Sequence, residues 1–236
     1  MKEGAELLFV RDSLHDWGRE SPIALEVRRL SGPPATALDD DALARRAAEI
    51  VDRAVPYWIR SMPKWFAQRP HNVVPPAAAS NFAYAKQATS GAQFRIAEDE
   101  ALVVTADPMG AAYFGFQIAD PWGSAPDYAN HTASLNAAQA RANDDGTVTF
   151  VVALRDPQVH NWVDTVGLEE GTLLIRWQAL PAGGIDPRRS IRQVALVKLS
   201  DVAEVLPKGA HRVSADDRRH QLAARKAAYA RRLVEA

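Results

Sequence analysis

Cysteine is absent from the chain, which excludes disulfides, thiolate nucleophiles and cysteine-based zinc or iron–sulfur centres. Any covalent nucleophile must be an oxygen or nitrogen group. A charge excess of one sign is missing too: 28 Lys and Arg stand against 29 Asp and Glu, a net charge of −1. No basic run interleaves with aromatics, so neither a nucleic-acid partner nor an anionic membrane surface is expected. No apolar run approaches the roughly 18 residues needed to span a bilayer. The N-terminal MKEGAELLFV has one Lys, then Glu3 and Glu6, and only a four-residue apolar run, so it does not read as a signal peptide. The expected location is the cytoplasm. G-x-S-x-G, G-x-G-x-x-G, P-loop, H-E-x-x-H and EF-hand signatures are all lacking, which lowers hydrolase, nucleotide and zincin readings. His131 and His160 are separated by a whole strand and lack metal-ligand spacing. No metal and no cofactor are expected.

What is present has the balance of an ordinary globular protein: 236 residues, 47% hydrophobic and 24% charged. Residues 7–10 read as a short strand, and residues 23–30 alternate Ile23, Leu25, Val27 against Ala24, Glu26, Arg28 with the period of a half-buried strand. Gly32, Pro33 and Pro34 stop it. Asp39 to Asp41 supply an N-cap and an acidic first turn for a helix in which Leu43, Ala47, Ile50, Val51 and Ala54 share one face. Pro56 opens a second helix carrying a cluster of Tyr57, Trp58, Met62, Trp65 and Phe66 interrupted by Pro63, in which Trp58, Trp65 and Phe66 are read as core, so the helical segment covers about 39–69. Residues 70–91, with Pro75, Pro76, Asn72 and Asn81, read as a long loop ordered by Phe82 and Tyr84.

From Ala92 onward the pattern is β. Short segments near 101–105, 111–118, 132–135, 147–154, 172–179 and 193–199 are each bounded by Gly, Pro, Asn or Asp, with Asp145-Gly146 as a turn before one of them. Strands at this spacing without intervening helices predict an antiparallel β-sandwich or jelly-roll-like core over about 92–199. Ser214 followed by Asp217 is an acidic capping box. It starts a C-terminal helix over about 214–235 whose Leu222, Ala223, Lys226, Ala227, Ala230 and Leu233 form a narrow stripe for docking on the sheet or on a second subunit. The expected organisation is one β-rich domain, 1–236, with a helical insertion and a long C-terminal helix.

Strand register marks a candidate surface. Along 111–118, Ala112, Phe114, Phe116 and Ile118 make a core face, and Tyr113, Gly115 and Gln117 the other. Along 172–180, Leu173, Ile175 and Trp177 oppose Thr172, Leu174, Arg176 and Gln178. If the two strands share a sheet, their mixed faces line a concave surface with room for a ligand at Gly115. The alternative is that both faces meet solvent.

The loops around them concentrate hydrogen-bonding and aromatic side chains. His131, four residues after Asp127, is the candidate catalytic residue, because an imidazole beside a carboxylate serves as a general base; a surface or capping role is the alternative. Asn161 and Trp162 offer an amide and an indole to a ligand, or else cap a turn and plug the core. Arg176 grips a ligand carboxylate or phosphate, or an internal carboxylate such as Asp120, Asp127 or Asp164. Trp122 is a pocket wall or a loop staple. The candidate ligand-binding set is Trp122, Tyr128, Asn130, Asn161, Trp162, Arg176, Tyr113 and Gln117.

The runs YFGFQIADPWGSAPDYANHTASLN, DDGTVTFVVALRDPQVHNWVDT and LLIRWQALP resemble the bacterial family designated domain of unknown function 1214, often found behind a related 1254 module. The match covers about 92–181, with similar stretches at LFVRDSLHDWGRESPIALEVRRL and 58–76. Asp145-Gly146, Asn161-Trp162 and Arg176 are its most specific elements; His131 stands where an aromatic residue is common. The resemblance implies a β-rich fold and no established reaction. Two functions are therefore carried forward. One is a binder or enzyme for a largely hydrophobic small molecule with a polar or anionic group, held by Trp122, Tyr128 and Trp162 and polarised by His131, Asn161 and Arg176. The other is a non-catalytic module that packs on a partner chain or forms a homo-oligomer through the C-terminal helix. The first predicts that the polar residues converge, the second that they sit apart.

Overall fold

A computed structural model describes Val10 and residues 12–16, 18–28, 30–31, 37–62, 69–79 and 86–234. Most of the expected 7–10 strand, the stop at Gly32 to Pro34, the aromatics Trp65 and Phe66, and Phe82 and Tyr84 lie outside the described residues. The protein is mainly β, with nine strands in two sheets among the described residues. After helix α1 (Asp40–Met62) come β1 (Ala78–Ala79), β2 (Ala88–Arg95), β3 (Glu100–Ala106), β4 (Tyr113–Ala119), β5 (Ser134–Asn136), β6 (Val148–Ala153), β7 (Trp162–Asp164) and β8 (Glu170–Gln178). The chain ends with α2 (Pro187–Ser190), β9 (Ile191–Lys198), a 3₁₀ turn at Leu199–Asp201, α3 (Val202–Val205) and α4 (Ala215–Val234).

One sheet has the order β1-β2-β8-β4-β5, all antiparallel. The other has the order β7-β6-β3-β9 and includes one parallel pair, β6 with β7. That pairing departs from the antiparallel expectation. A short strand entering from a loop can lie in either direction, so local alternation says nothing about it.

The two sheets share one core. Phe94, Phe114, Ile175 and Trp177 from the first meet Leu102, Val104, Phe150 and Val152 from the second. Phe150 sits with its ring centroid 4.7 Å from that of Phe116 and 6.0 Å from that of Phe114. Each such side chain, fully buried, contributes on the order of 1.5–3 kcal/mol. Trp177 keeps its indole N–H satisfied by donating to the Asp107 carbonyl at 2.9 Å. On the far side of the second sheet, Val103, Val151, Val159, Trp162 and Val202 build a smaller core.

Three helix and strand expectations change. Residues 23–28 and 30 form no strand, and Ile23, Leu25, Val27 and Leu30 are exposed; an alternating pattern becomes a strand only where an edge is available to pair with it. Pro56 lies inside a continuous α1 and starts no second helix. The residues of α4 that face the protein are Arg218, Gln221, Leu222, Arg225, Ala228 and Tyr229, while Ala223, Lys226, Ala227 and Ala230 are exposed. Two arginines set that orientation. Arg218 pairs with Asp156 at 3.0 Å and donates to the Val159 carbonyl, and Arg225 donates to the carbonyls of Tyr128 and Ser134.

Two local signals take the expected form. Gly146 has φ +79° in the turn before β6, a conformation glycine adopts without strain. At the start of α4, Ser214 Oγ accepts from the Asp217 amide at 3.1 Å while Asp217 Oδ2 accepts from the Ser214 amide at 2.9 Å. Among the described residues no helix is long and apolar enough to cross a membrane.

Candidate functional site

β4 and β8 are neighbours, with Gly115 opposite Arg176, Tyr113 opposite Gln178 and Gln117 opposite Leu174. Their core faces are buried, and the mixed faces point away from the core. This outer surface is roofed. Tyr229 of α4, the loop at 125–128 and residues 12–14 enclose a cleft of about 430 Å³ above it, within the usual range for small-molecule sites.

Each part of the roof has an identifiable anchor. Arg225 donates to the Tyr128 carbonyl and lies 5.1 Å from the Tyr229 ring, and the Tyr128 and Tyr229 ring centroids are 5.2 Å apart. Asp127 closes the preceding turn by accepting from the Asn130 amide and side chain at 3.1 and 2.8 Å, and these bonds hold its carboxyl below the usual range. The N-terminal segment is tied down by Asn136, whose Nδ2 donates to the His15 carbonyl at 2.7 Å. Asp12 accepts from the Ile23 amide at 2.8 Å.

Inside the cleft Arg176 is the one cation and Asp12 the one carboxylate among the described lining residues. Tyr113 lies along the strand over Gly115: a Cβ on Gly115 would stand 2.9 Å from the Tyr113 hydroxyl. Burial pushes the Tyr113 phenol above its ordinary pKa, with Tyr229 adding to the rise and Arg176 opposing it. The phenol therefore stays protonated at neutral pH and both donates and accepts hydrogen bonds.

Of the nine residues marked by the sequence, Tyr113, Gln117, Tyr128 and Arg176 line this cleft. Asn161 is buried elsewhere, accepting from the Arg141 amide at 2.8 Å and donating to the Arg141 and Thr149 carbonyls at 2.7 and 3.0 Å. Trp162 packs in the smaller core, donates to the Ala153 carbonyl at 2.9 Å and lies 5.1 Å beneath the Arg218 guanidinium. Trp122 is 65% exposed, and its amide donates to Asp120. Asn130 is exposed. His131 does not line the cleft; its Nδ1 meets Asp164 Oδ2 at 2.8 Å. The carboxylate beside it is thus Asp164, reached across the fold, because the Asp127 carboxylate serves Asn130. Arg176 lines this cleft, and neither His131 nor Asn161 is among its described lining residues.

Sequence reading missed Asn136, Tyr229 and Asp12 as lining residues, while Gln178, read on the mixed face with Arg176, does line the cleft. Nothing local in the sequence distinguishes Tyr229 or Asp12. Among the described residues, no cluster of three or more His, Asp or Glu side chains is placed to hold a metal.

No family model matches the chain, and no curated protein matches it. Among solved structures, an uncharacterized protein from Burkholderia cenocepacia is similar, with 29% identity and a TM-score of 0.58 over 73% of this chain. The chain spans about half of that protein's length, 48%. The VPA0106 protein from Vibrio parahaemolyticus aligns with 47% of this chain and 31% of its own at 12% identity, with a TM-score of 0.37, too low to support an argument.

Proposed function

We propose that the chain binds a small, largely hydrophobic molecule with one anionic or polar group in the cleft on the outer face of the five-stranded sheet. The observation that carries this reading is the covering of a mixed strand face: Arg176 and Tyr113 flank Gly115 on a surface that α4 and two loops enclose. The ligand's anionic group takes the Arg176 guanidinium, and its body lies against Leu14, Tyr128 and Tyr229. The lining holds no histidine among its described residues, and the His15 ring, edge-on to Tyr113 with centroids 6.3 Å apart, makes no hydrogen bond to a lining hydroxyl among them. This favours binding over turnover. An enzyme version would rest on His131, oriented by Asp164, and it is tested by looking for turnover lost in His131→Ala with binding retained.

The finer reading of the fold is a sandwich of jelly-roll type, supported by the single core between the sheets. Kinship with the family designated domain of unknown function 1214 rests on the residue runs given above, and the mainly-β fold is consistent with it.

Fluorescence titration with 2-naphthoate and 2-naphthol tests the cleft. Wild type is expected to bind naphthoate saturably, and Arg176→Gln to weaken it about tenfold or more, the worth of a hydrogen bond to a charged group, with naphthol little affected. Equal naphthoate affinity in the two proteins would overturn the reading.

One observation favours a second role. Helix α1 leaves Leu43, Ile50, Val51, Val55, Trp58 and Ile59 exposed, an apolar face suited to another copy of the chain. α4 is less suited, because its inward face is already held by Asp156 and the Tyr128 and Ser134 carbonyls. Sedimentation velocity decides between them: Leu43→Glu with Ile50→Glu should dissociate an assembly that the wild type forms, and a concentration-independent wild-type monomer removes the idea.

A further inference from the structure

A second cavity, of about 310 Å³, lies beneath α4 on the other side of Arg225. Its walls combine Leu135, Ala138, Ala224 and Ala228 with the polar side chains of Thr132 and Arg225.

Three buried groups there lack what burial ordinarily demands. Arg225 is 5% exposed, yet its bonds run to neutral acceptors only: the Tyr128 carbonyl, the Ser134 carbonyl at 2.8 Å and the Ser134 hydroxyl at 2.9 Å. No carboxylate stands within ion-pair distance of it among the described residues. Arg218, seven residues earlier on the same helix face, is equally buried and does have one, Asp156. A buried cation without a counter-charge is costly, and the ordinary remedy is an anion. Burial accordingly lowers the Arg225 pKa, opposed by the Tyr229 phenol and by Asp127.

The second group is Thr132, 1% exposed, whose Oγ1 has no hydrogen-bond partner among the described residues. The Nδ1 of His15, also at this wall, is buried without a partner too. The one carboxylate among the described lining residues, Asp16, is already engaged, with Oδ1 accepting from the Gly18 amide at 2.8 Å and Oδ2 3.6 Å from Arg19. His160 donates through Nε2 to the Gln139 carbonyl at 3.0 Å, and burial lowers its pKa, so it adds no positive charge.

We propose that this cavity is a separate ligand site for a monocarboxylate with a short apolar tail, its carboxylate on Arg225 and Thr132 and its tail along Leu135, Ala138, Ala224 and Ala228. A single guanidinium with one hydroxyl matches one carboxylate. The nearby Asp16 disfavours a dianion, and the small apolar wall suits a short alkyl chain.

The test is calorimetry and thermal unfolding of the full chain with acetate, butyrate, hexanoate and octanoate at constant ionic strength, with phosphate and chloride as controls. The expected result is saturable binding that tightens with chain length until the cavity is full and then weakens. Thr132→Val should leave the ligand-free melting temperature unchanged or raised, since it removes an unpartnered buried hydroxyl, while weakening carboxylate binding about threefold to tenfold. Ala228→Leu, which fills the void, should abolish binding. The series is run in the Arg176→Gln background as well as in wild type, so that any carboxylate held in the cleft is removed from the signal and failure of this site is separated from failure of the cleft. Absence of saturable binding by wild type, binding untouched by both cavity variants, or equally tight phosphate binding would each overturn the proposal. So would a lower ligand-free melting temperature in Thr132→Val, because the hydroxyl would then have a structural role.

Discussion

Two glycines in the five-stranded sheet carry different constraints. A Cβ on Gly171 would stand 2.4 Å from the Ala119 carbonyl oxygen and 2.8 Å from the Phe94 ring, so the backbones of β8 and β4 must part to admit it. Gly171→Ala is expected to cost about 1–3 kcal/mol in urea unfolding, the range for overpacking. At Gly115 the obstacle is the tip of the Tyr113 side chain, which can swing aside. Gly115→Ala should cost less than about 1 kcal/mol and change naphthoate affinity instead. The reverse order of stabilities would contradict the packing.

Glu170 shows an acid sensitivity with a definite sign. Its carboxylate accepts from Arg95 Nε and Nη2 at 3.1 and 2.9 Å and meets His71 Nε2 at 3.2 Å. These bonds, Arg95 first, hold it below its ordinary value of 4.5. A depressed carboxylate contributes stability above its unfolded pKa and loses it as pH falls through the folded one. The wild-type urea midpoint should therefore fall more steeply than that of Glu170→Gln once pH drops below 4.5. Solvent around this pair keeps the difference small. Parallel curves would show that the pair contributes nothing.

At the scale of elements, α4 joins the roof of the cleft to the rest of the fold, and polar contacts do most of this. Arg218 reaches Asp156 with two N–H groups at 3.0 and 3.1 Å and also bonds Gln221. Arg218→Met leaves Asp156 without its partner and should cost about 3 kcal/mol, the lower end for breaking a buried pair, since Asp156 is partly exposed. Ser214→Ala, which opens the capping box, should cost only about 1 kcal/mol. If urea titration gave both variants the same small loss, the cap and not Arg218 would be what docks the helix.

For the whole molecule, the main core is shared by the two sheets, and the smaller core lies on the far side of the second sheet alone. Phe150 from one sheet contacts Phe114 and Phe116 from the other, so Phe150→Ala should cost about 3–5 kcal/mol. Fluorescence and circular dichroism should still report one transition. Two separated transitions would mean that the sheets unfold independently.

Periodicity alone was enough to determine that Phe114 and Phe116 face inward while Tyr113, Gly115 and Gln117 face outward, and likewise Trp177 against Arg176. Alternation is a property of neighbouring residues along one strand and needs no knowledge of its partner. The Gly146 turn and the Ser214–Asp217 cap were legible for the same reason, since each closes within a few residues. Tertiary structure decided everything that joins distant segments. It paired β7 in parallel with β6, gave His131 the carboxylate of Asp164, and spent Asn161 on the carbonyls of Arg141 and Thr149. It also placed Tyr229 and residues 12–14 over Arg176, which turned an outward strand face into a cleft. Such contacts depend on how two remote parts of the chain meet, and no local period encodes that.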